Sequence, residues 1–127
     1  MTDAVIDSSV ILADLFGEPG GDVARPAART ATISAINFAE VVSKLVVHGM
    51  PEREALATAY DFDMDVAAVD AELAEAAGVL HGRTRSHGIS IGDAFCLALA
   101  DSLGLPVLTT DRRWATLPTG VEVRLIR

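Results

Sequence analysis

The run Ala94-Phe95-Cys96-Leu97-Ala98-Leu99-Ala100 carries no polar side chain on any face. A helix that is apolar all round is a buried helix, so the rest of the chain must supply layers to cover it. With 127 residues, the chain has material for one domain built around such a helix. The run nevertheless opens on a carboxylate, Asp93, within ISIGDAFCLALA at 89–100. A buried helix that begins with an acid needs either a capping role for that acid or a positive partner for it.

The remaining segments alternate. Ala4-Val5-Ile6 reads as a short strand ending at Asp7, followed by a helix over 8–16 that GEPGG stops at 17–21. Pro26 limits any regular span within 22–30. Residues 31–35 (ATISA) form a second strand. Phe38, Val41, Val42 and Leu45 then recur at helical spacing over 37–47, and Gly49 closes that helix. Pro51 opens another helix, to about Tyr60, and 65–69 reads as a strand. Asp70 is placed as the N-cap of a long helix to about Arg85. After the apolar helix, which ends near Gly104, come strands at 106–110 and 122–126. This order predicts an α/β three-layer sandwich, a small, mainly parallel sheet flanked by helices, as a single domain over 1–127.

The formal net charge is −8, from 18 acids against 10 Lys plus Arg. Taken alone it disfavours a nucleic-acid partner, because phosphates attract basic surfaces, and it favours a basic protein or a bound cation. Basic residues do cluster locally: Arg83, Arg85 and His87 precede ISIGD, and Arg112 and Arg113 follow an aspartate. A solvated surface explains them equally well. The single cysteine, Cys96, lies in the apolar run and suits a reducing compartment. No basic leader and no span of eighteen apolar residues is visible, so the expected location is the cytoplasm.

Four acids stand at comparable places. Asp7 follows a strand and precedes a helix; Glu40 is on the first turn of the helix after ATISA; Asp93 is on the first turn of the apolar helix; Asp111 follows PVLTT. Each has a purely local explanation. Asp7 and Asp111 can be N-caps, and Asn37 with Glu40, like Ser90 with Asp93, has capping-box spacing. The helical wheel also turns Glu40 away from the Phe38, Val41, Val42, Leu45 stripe, as for a solvated residue. Taken together, three of the four lie just beyond a strand end and all four are near helix N-termini, and in an open α/β sheet ligand crevices form beyond the carboxyl ends of the strands. Converging carboxylates repel unless a cation neutralises them, and an all-oxygen site suits Mg²⁺ or Mn²⁺. His48, His81 and His87 have no paired metal-ligand spacing, so nothing points to zinc.

These segments resemble the PIN-domain ribonucleases, and among them the VapC toxins of bacterial VapBC toxin–antitoxin pairs. The likeness runs through VIDSSVILA at 5–13, AINFAEVVSKL at 35–45, ISIGDAFCLALA at 89–100, VLTTDRRW at 107–114 and the ending VEVRLIR. It implies that Asp7, Glu40, Asp93 and Asp111 are the catalytic acids. Asp7, Asp93 and Asp111 would hold Mg²⁺ or Mn²⁺, and Glu40 would bind metal or orient a water. Ser9 and Thr109 would position a carboxylate or water, with a plain capping hydroxyl as the alternative for each. The reaction implied is hydrolysis of RNA phosphodiester bonds, with Arg83, Arg85, Arg112 and Arg113 as candidates for gripping RNA phosphates. A cognate VapB-type antitoxin and a homodimer are the implied partners. Val10, Leu12, Leu15, Phe16, Val46 and Val47 could serve those interfaces or the core. The chain departs from the family where an arginine often follows the third acid, here Ala94, and where Pro26 falls in a segment that is helical in relatives.

Three rival readings remain. A receiver domain or aspartate-nucleophile phosphatase needs a lysine near the phosphoryl site, and the only lysine, Lys44, is one turn beyond Glu40. The phosphatase also wants Asp-x-Asp, where this chain has Asp7-Ser8-Ser9. The others are an inactive PIN fold that binds metal and protein, and a metal-dependent nuclease for structured DNA.

Overall fold

The computed structural model describes Thr2–Arg127. Five strands, β1 (Ala4–Ile6), β2 (Ala31–Ser34), β3 (Asp65–Ala67), β4 (Val107–Thr109) and β5 (Val123–Leu125), form one sheet in the order β3-β2-β1-β4-β5. Every pairing is parallel, with Val5 opposite Thr32 on one side and Val107 on the other. The sheet is thus fully parallel where the sequence predicts a mainly parallel one.

Six helices cover it: α1 (Ser8–Leu15), α2 (Ala24–Ala28), α3 (Ala35–Val47), α4 (Glu52–Tyr60), α5 (Ala71–Arg83) and α6 (Ile91–Leu103). Successive strand residues face opposite ways, and that alternation divides the core in two. Val5 and Val107 pack under α5 and α6, while Ile6 and Ile33 pack under α1 to α4. Three layers result, as expected. Gly92, Ala94 and Cys96 to Ala100 are all buried in α6, and Phe95 is half-buried, so the apolar run is covered except at that one ring.

Boundaries differ where side chains outvote periodicity. β2 stops at Ser34 because the Ser34 hydroxyl accepts from Asn37 N at 3.0 Å and caps α3, so that helix begins at Ala35 rather than Asn37. Pro26 lies in the first turn of α2, where its missing N–H would have had no intrahelical partner, and a short helix forms there after all. α5 ends at Arg83, and Arg85–His87 is a separate 3-10 turn. Of the apolar positions offered to partners, Val10 belongs to the core, whereas Val47 is 76% exposed.

Candidate functional site

Strand order reverses direction between β1 and β4: the chain moves outward from β1 through β2 to β3, then returns to lay β4 on the other side of β1. Beyond the carboxyl ends of two such strands, neighbouring connections diverge and leave a crevice. β1 delivers Asp7 to it and β4 delivers Thr109.

Asp7 is 4% exposed. Its Oδ2 accepts from Ser9 Oγ at 2.6 Å and from Thr109 Oγ1 at 2.9 Å, while Oδ1 has no hydrogen bond among the described residues. Although Asp7 occupies the N-cap position of α1, its side chain makes no cap bond, so the capping explanation fails for it. Burial raises its pKa to about 6; the two hydroxyls pull the other way, and the fields of Asp93 and Glu40 push it further up. The hydroxyls also fix the neighbouring backbone, since Ser9 Oγ accepts from Thr110 N at 3.2 Å and Thr109 Oγ1 accepts from Asp111 N at 3.1 Å.

Glu40 is half-buried, not solvated as its helical wheel implies, because α6 lies over that flank of α3. Its Oε1 accepts from Asn37 Nδ2 at 2.8 Å and from Ser8 Oγ at 3.2 Å. Asn37, fully buried, also donates to Gly92 O at 3.0 Å and accepts from Ser34 Oγ at 2.5 Å. The Asn37–Glu40 capping box is therefore overturned: Ser34 caps, and Asn37 instead ties Glu40 to α6. At Gly92 the helices approach so closely that a Cβ would lie 2.5 Å from Glu40 Oε2. Asp93 does form the capping box with Ser90, Ser90 N donating to Oδ2 at 2.8 Å and Asp93 N to Ser90 Oγ at 3.1 Å. Its other oxygen is left over. Cys96, one turn further into α6, is buried, and burial first, then the fields of Asp7, Asp93 and Glu40, push its thiol pKa well up; it is inert.

Asp111 stands apart. It caps the 3-10 turn Arg112–Thr116 by accepting from Arg113 N at 3.0 Å, and the Arg113 guanidinium binds both its oxygens. That pairing holds its pKa below the usual carboxylate value. Arg113 is thus engaged with an acid of the site rather than free on the surface. Arg83, Arg85 and Arg112 are exposed and form no ion pair among the described residues. Ala94 is fully buried, so no phosphate contact can come from that position. Lys44 is exposed on the outer side of α3.

The structure thus sets Asp7 in the fields of Glu40 and Asp93 and ties the main chain of Asp111 to Thr109 beside it. Among the described residues no group of three His, Cys, Asp or Glu side chains stands ready to hold a metal ion. The donor chemistry fits a hard divalent cation: Asp7 Oδ1, Glu40 Oε2 and the second Asp93 oxygen are uncommitted, and a buried carboxylate among like charges gains most from one. Four participants were missed in the sequence: Ser8, Ser34, Asn37 as a linker and Gly92. Only the Ser34–Asn37 spacing carried a local signal.

A family model of the PIN domain matches residues 4–119. No curated protein matches the chain. Solved structures do: a DNA-bound VapBC from Salmonella typhimurium has 19% identity and TM-score 0.77, covering all of both chains. VapC20 from Mycobacterium tuberculosis, described as a toxin cleaving the sarcin–ricin loop, has 21% identity and TM-score 0.76 over 96% of this chain and 99% of its own. VapBC-5 from the same organism reaches 26% identity with TM-score 0.64, covering 100% of this chain and 99% of that one.

Proposed function

The chain belongs to the PIN-domain family, the nuclease domains it resembles in sequence, and from that premise we propose that it is the toxin of a type II toxin–antitoxin pair, hydrolysing RNA phosphodiester bonds with Mg²⁺ or Mn²⁺. The observation that carries the reading is the buried Asp7 carboxylate at the β1/β4 reversal, faced by Glu40 and Asp93 and raised to a pKa of about 6.

Asp7, Asp93 and Asp111 would hold the ion. A divalent cation in such a pocket supplies a water of lowered pKa and offsets charge developing on the phosphate. The chain's own residues do the positioning. Ser9 and Thr109 hold Asp7 through Oδ2, leaving Oδ1 free of hydrogen bonds among the described residues. Glu40, held through Oε1 by Asn37 and Ser8, offers Oε2 to orient the attacking water and receive its proton. Exposed Arg83, Arg85 and Arg112 would meet RNA phosphates.

The VapBC complexes among the structural neighbours support a VapB-type antitoxin as partner, and the net charge of −8 suits a basic one. A homodimer and a cytoplasmic location belong to the same reading. No helix among the described residues is long and apolar enough to cross a membrane.

The test is cleavage of a labelled RNA pool by the purified chain with Mg²⁺ or Mn²⁺, with EDTA, and with Asp93→Asn. Cleavage that needs the metal and disappears in the variant is expected. Folded protein that binds Mn²⁺ and cuts no RNA would instead favour the non-catalytic binding module.

A further inference from the structure

Both oxygens of Asp111 are taken by a side chain two residues away. Arg113 Nε donates to Oδ1 at 3.0 Å and to Oδ2 at 3.2 Å, and Nη2 donates to Oδ2 at 2.6 Å. The remaining arm, Nη1, donates to Gly88 O at 3.1 Å. Gly88 has φ +74, and a Cβ there would stand 3.1 Å from Nη1; the left-handed glycine keeps the seat open. The backbone of Asp111 is meanwhile anchored at the crevice through Thr109 Oγ1. So the main chain of Asp111 sits at the site while its carboxylate is engaged with the guanidinium.

We propose that Arg113 is an internal latch on Asp111: the guanidinium and a divalent cation compete for one carboxylate, and the pocket completes its ligand set only when the fork opens. This rests on the acidic-pocket reading above. The latch is reversible because it is wet: the Arg113 side chain is 57% exposed and Asp111 24%. Forked pairs are geometrically specific, but exposed ones are weak. Arg113 is therefore a positioning residue for the metal rather than a resident phosphate grip. Once released, it leaves the Gly88 seat and faces the crevice mouth, where a phosphate can take it.

The molecule carries its own reporter. Trp114, the sole tryptophan, follows Arg113 in the same 3-10 turn and is 1% exposed. Its indole N–H has no hydrogen-bond partner among the described residues, yet it contributes to stabilising the ionised Asp111. A carboxylate freed from the fork can satisfy that N–H or the cation, and either move alters the surroundings of the ring.

The experiment is Mn²⁺ titration of the full metal-free chain, followed by Trp114 fluorescence and, independently, by the magnetic resonance of free Mn²⁺. Arg113→Gln is expected to tighten Mn²⁺ binding about three- to fivefold, the range an exposed forked pair can hold back. Arg113→Lys, which keeps the charge and loses the fork, should shift the same way by a smaller factor. Arg112→Gln removes the same charge without touching Asp111 and should leave affinity unchanged. In an Asp111→Asn background, Arg113→Gln should have no effect. Equal shifts from Arg112→Gln and Arg113→Gln, or no shift from the latter in a chain that binds Mn²⁺, would overturn the latch alone. No Mn²⁺ binding by any variant would overturn the acidic pocket and the latch together.

Discussion

At residue scale the decisive group is Asp7. Its folded pKa, about 6, lies above the ordinary 3.8. Between those values the folded chain binds more protons than the unfolded one, so this group's contribution to stability falls as pH rises from about 4 to about 6. Two pKa units correspond to roughly 3 kcal/mol. The pocket therefore stores a destabilisation that a cation relieves. Asp7→Asn, whose amide oxygen can still accept from Ser9 and Thr109, should abolish cleavage yet stabilise the metal-free chain above pH 6 by about 1–3 kcal/mol. Urea unfolding in EDTA at a series of pH values checks this. The gap between the variant and the parent should open across pH 4 to 6, and a gap independent of pH would mean the Asp7 carboxyl is not shifted. Mn²⁺ should restore the parent's stability and leave the variant's unmoved, since only a form that binds the ion is stabilised by it. Thr109→Val removes one of the two hydroxyl donors and should raise the Asp7 midpoint further in a carboxyl-carbon titration; Thr109→Ser should return it.

The element that completes the site is the packing of α3 against α6. Gly92→Ala puts a methyl 2.5 Å from Glu40 Oε2. The clash falls on the end of a flexible side chain, and alanine gains up to about 1 kcal/mol over glycine in a helix. Stability should thus change by less than about 1 kcal/mol while cleavage drops at least tenfold, because Glu40 is pushed off its seat. A urea midpoint and an initial rate distinguish this from general damage. Asn37→Ala should lose both, since it leaves Gly92 O without its side-chain donor and Ser34 Oγ without its acceptor, at about 1–3 kcal/mol for buried groups left unpaired. The same helix pair shows what the sequence can and cannot convey. Ser90–Asp93 and Asn37–Glu40 have identical spacing, and only the first is a capping box. Beside the second, Ser34 lies one turn earlier and takes the cap, and the amide is claimed by a carbonyl 55 residues away. Likewise, the wheel that turns Glu40 toward solvent describes only its own helix and knows nothing of α6. The strands and the buried helix were readable because each is a local pattern. The fork of Arg113 on Asp111 was not, because a pair two residues apart in a turn leaves no periodicity.

For the whole molecule, the conflict is between a net charge of −8 and a polyanionic substrate. The two act over different distances. Repulsion from the summed charge is long-ranged and screened beyond about 8–10 Å at ordinary salt, whereas arginine–phosphate pairing is local and releases counterions. Added salt weakens the first and the second together, with opposite effects on affinity. RNA binding by this chain should therefore fall with salt less steeply than its arginine count suggests. Each neutralised phosphate of a single strand contributes a slope of about −0.7, and screening of the overall repulsion offsets part of it. Arg113 is committed to Asp111 in the metal-free state, which leaves Arg83, Arg85 and Arg112 to meet the phosphates. Binding of an uncut RNA to the Asp93→Asn chain, measured from 50 to 300 mM salt, separates the terms. Replacing Arg85 and Arg112 with alanine should flatten the slope by about 0.7 for each phosphate that is no longer neutralised. With both arginines gone, Arg83 alone is left to meet a phosphate, and screening of the overall repulsion should offset most of its contribution, so affinity should become nearly independent of salt. An unchanged slope would place the RNA away from the β1/β4 crevice and detach the acidic pocket from the substrate proposed for it.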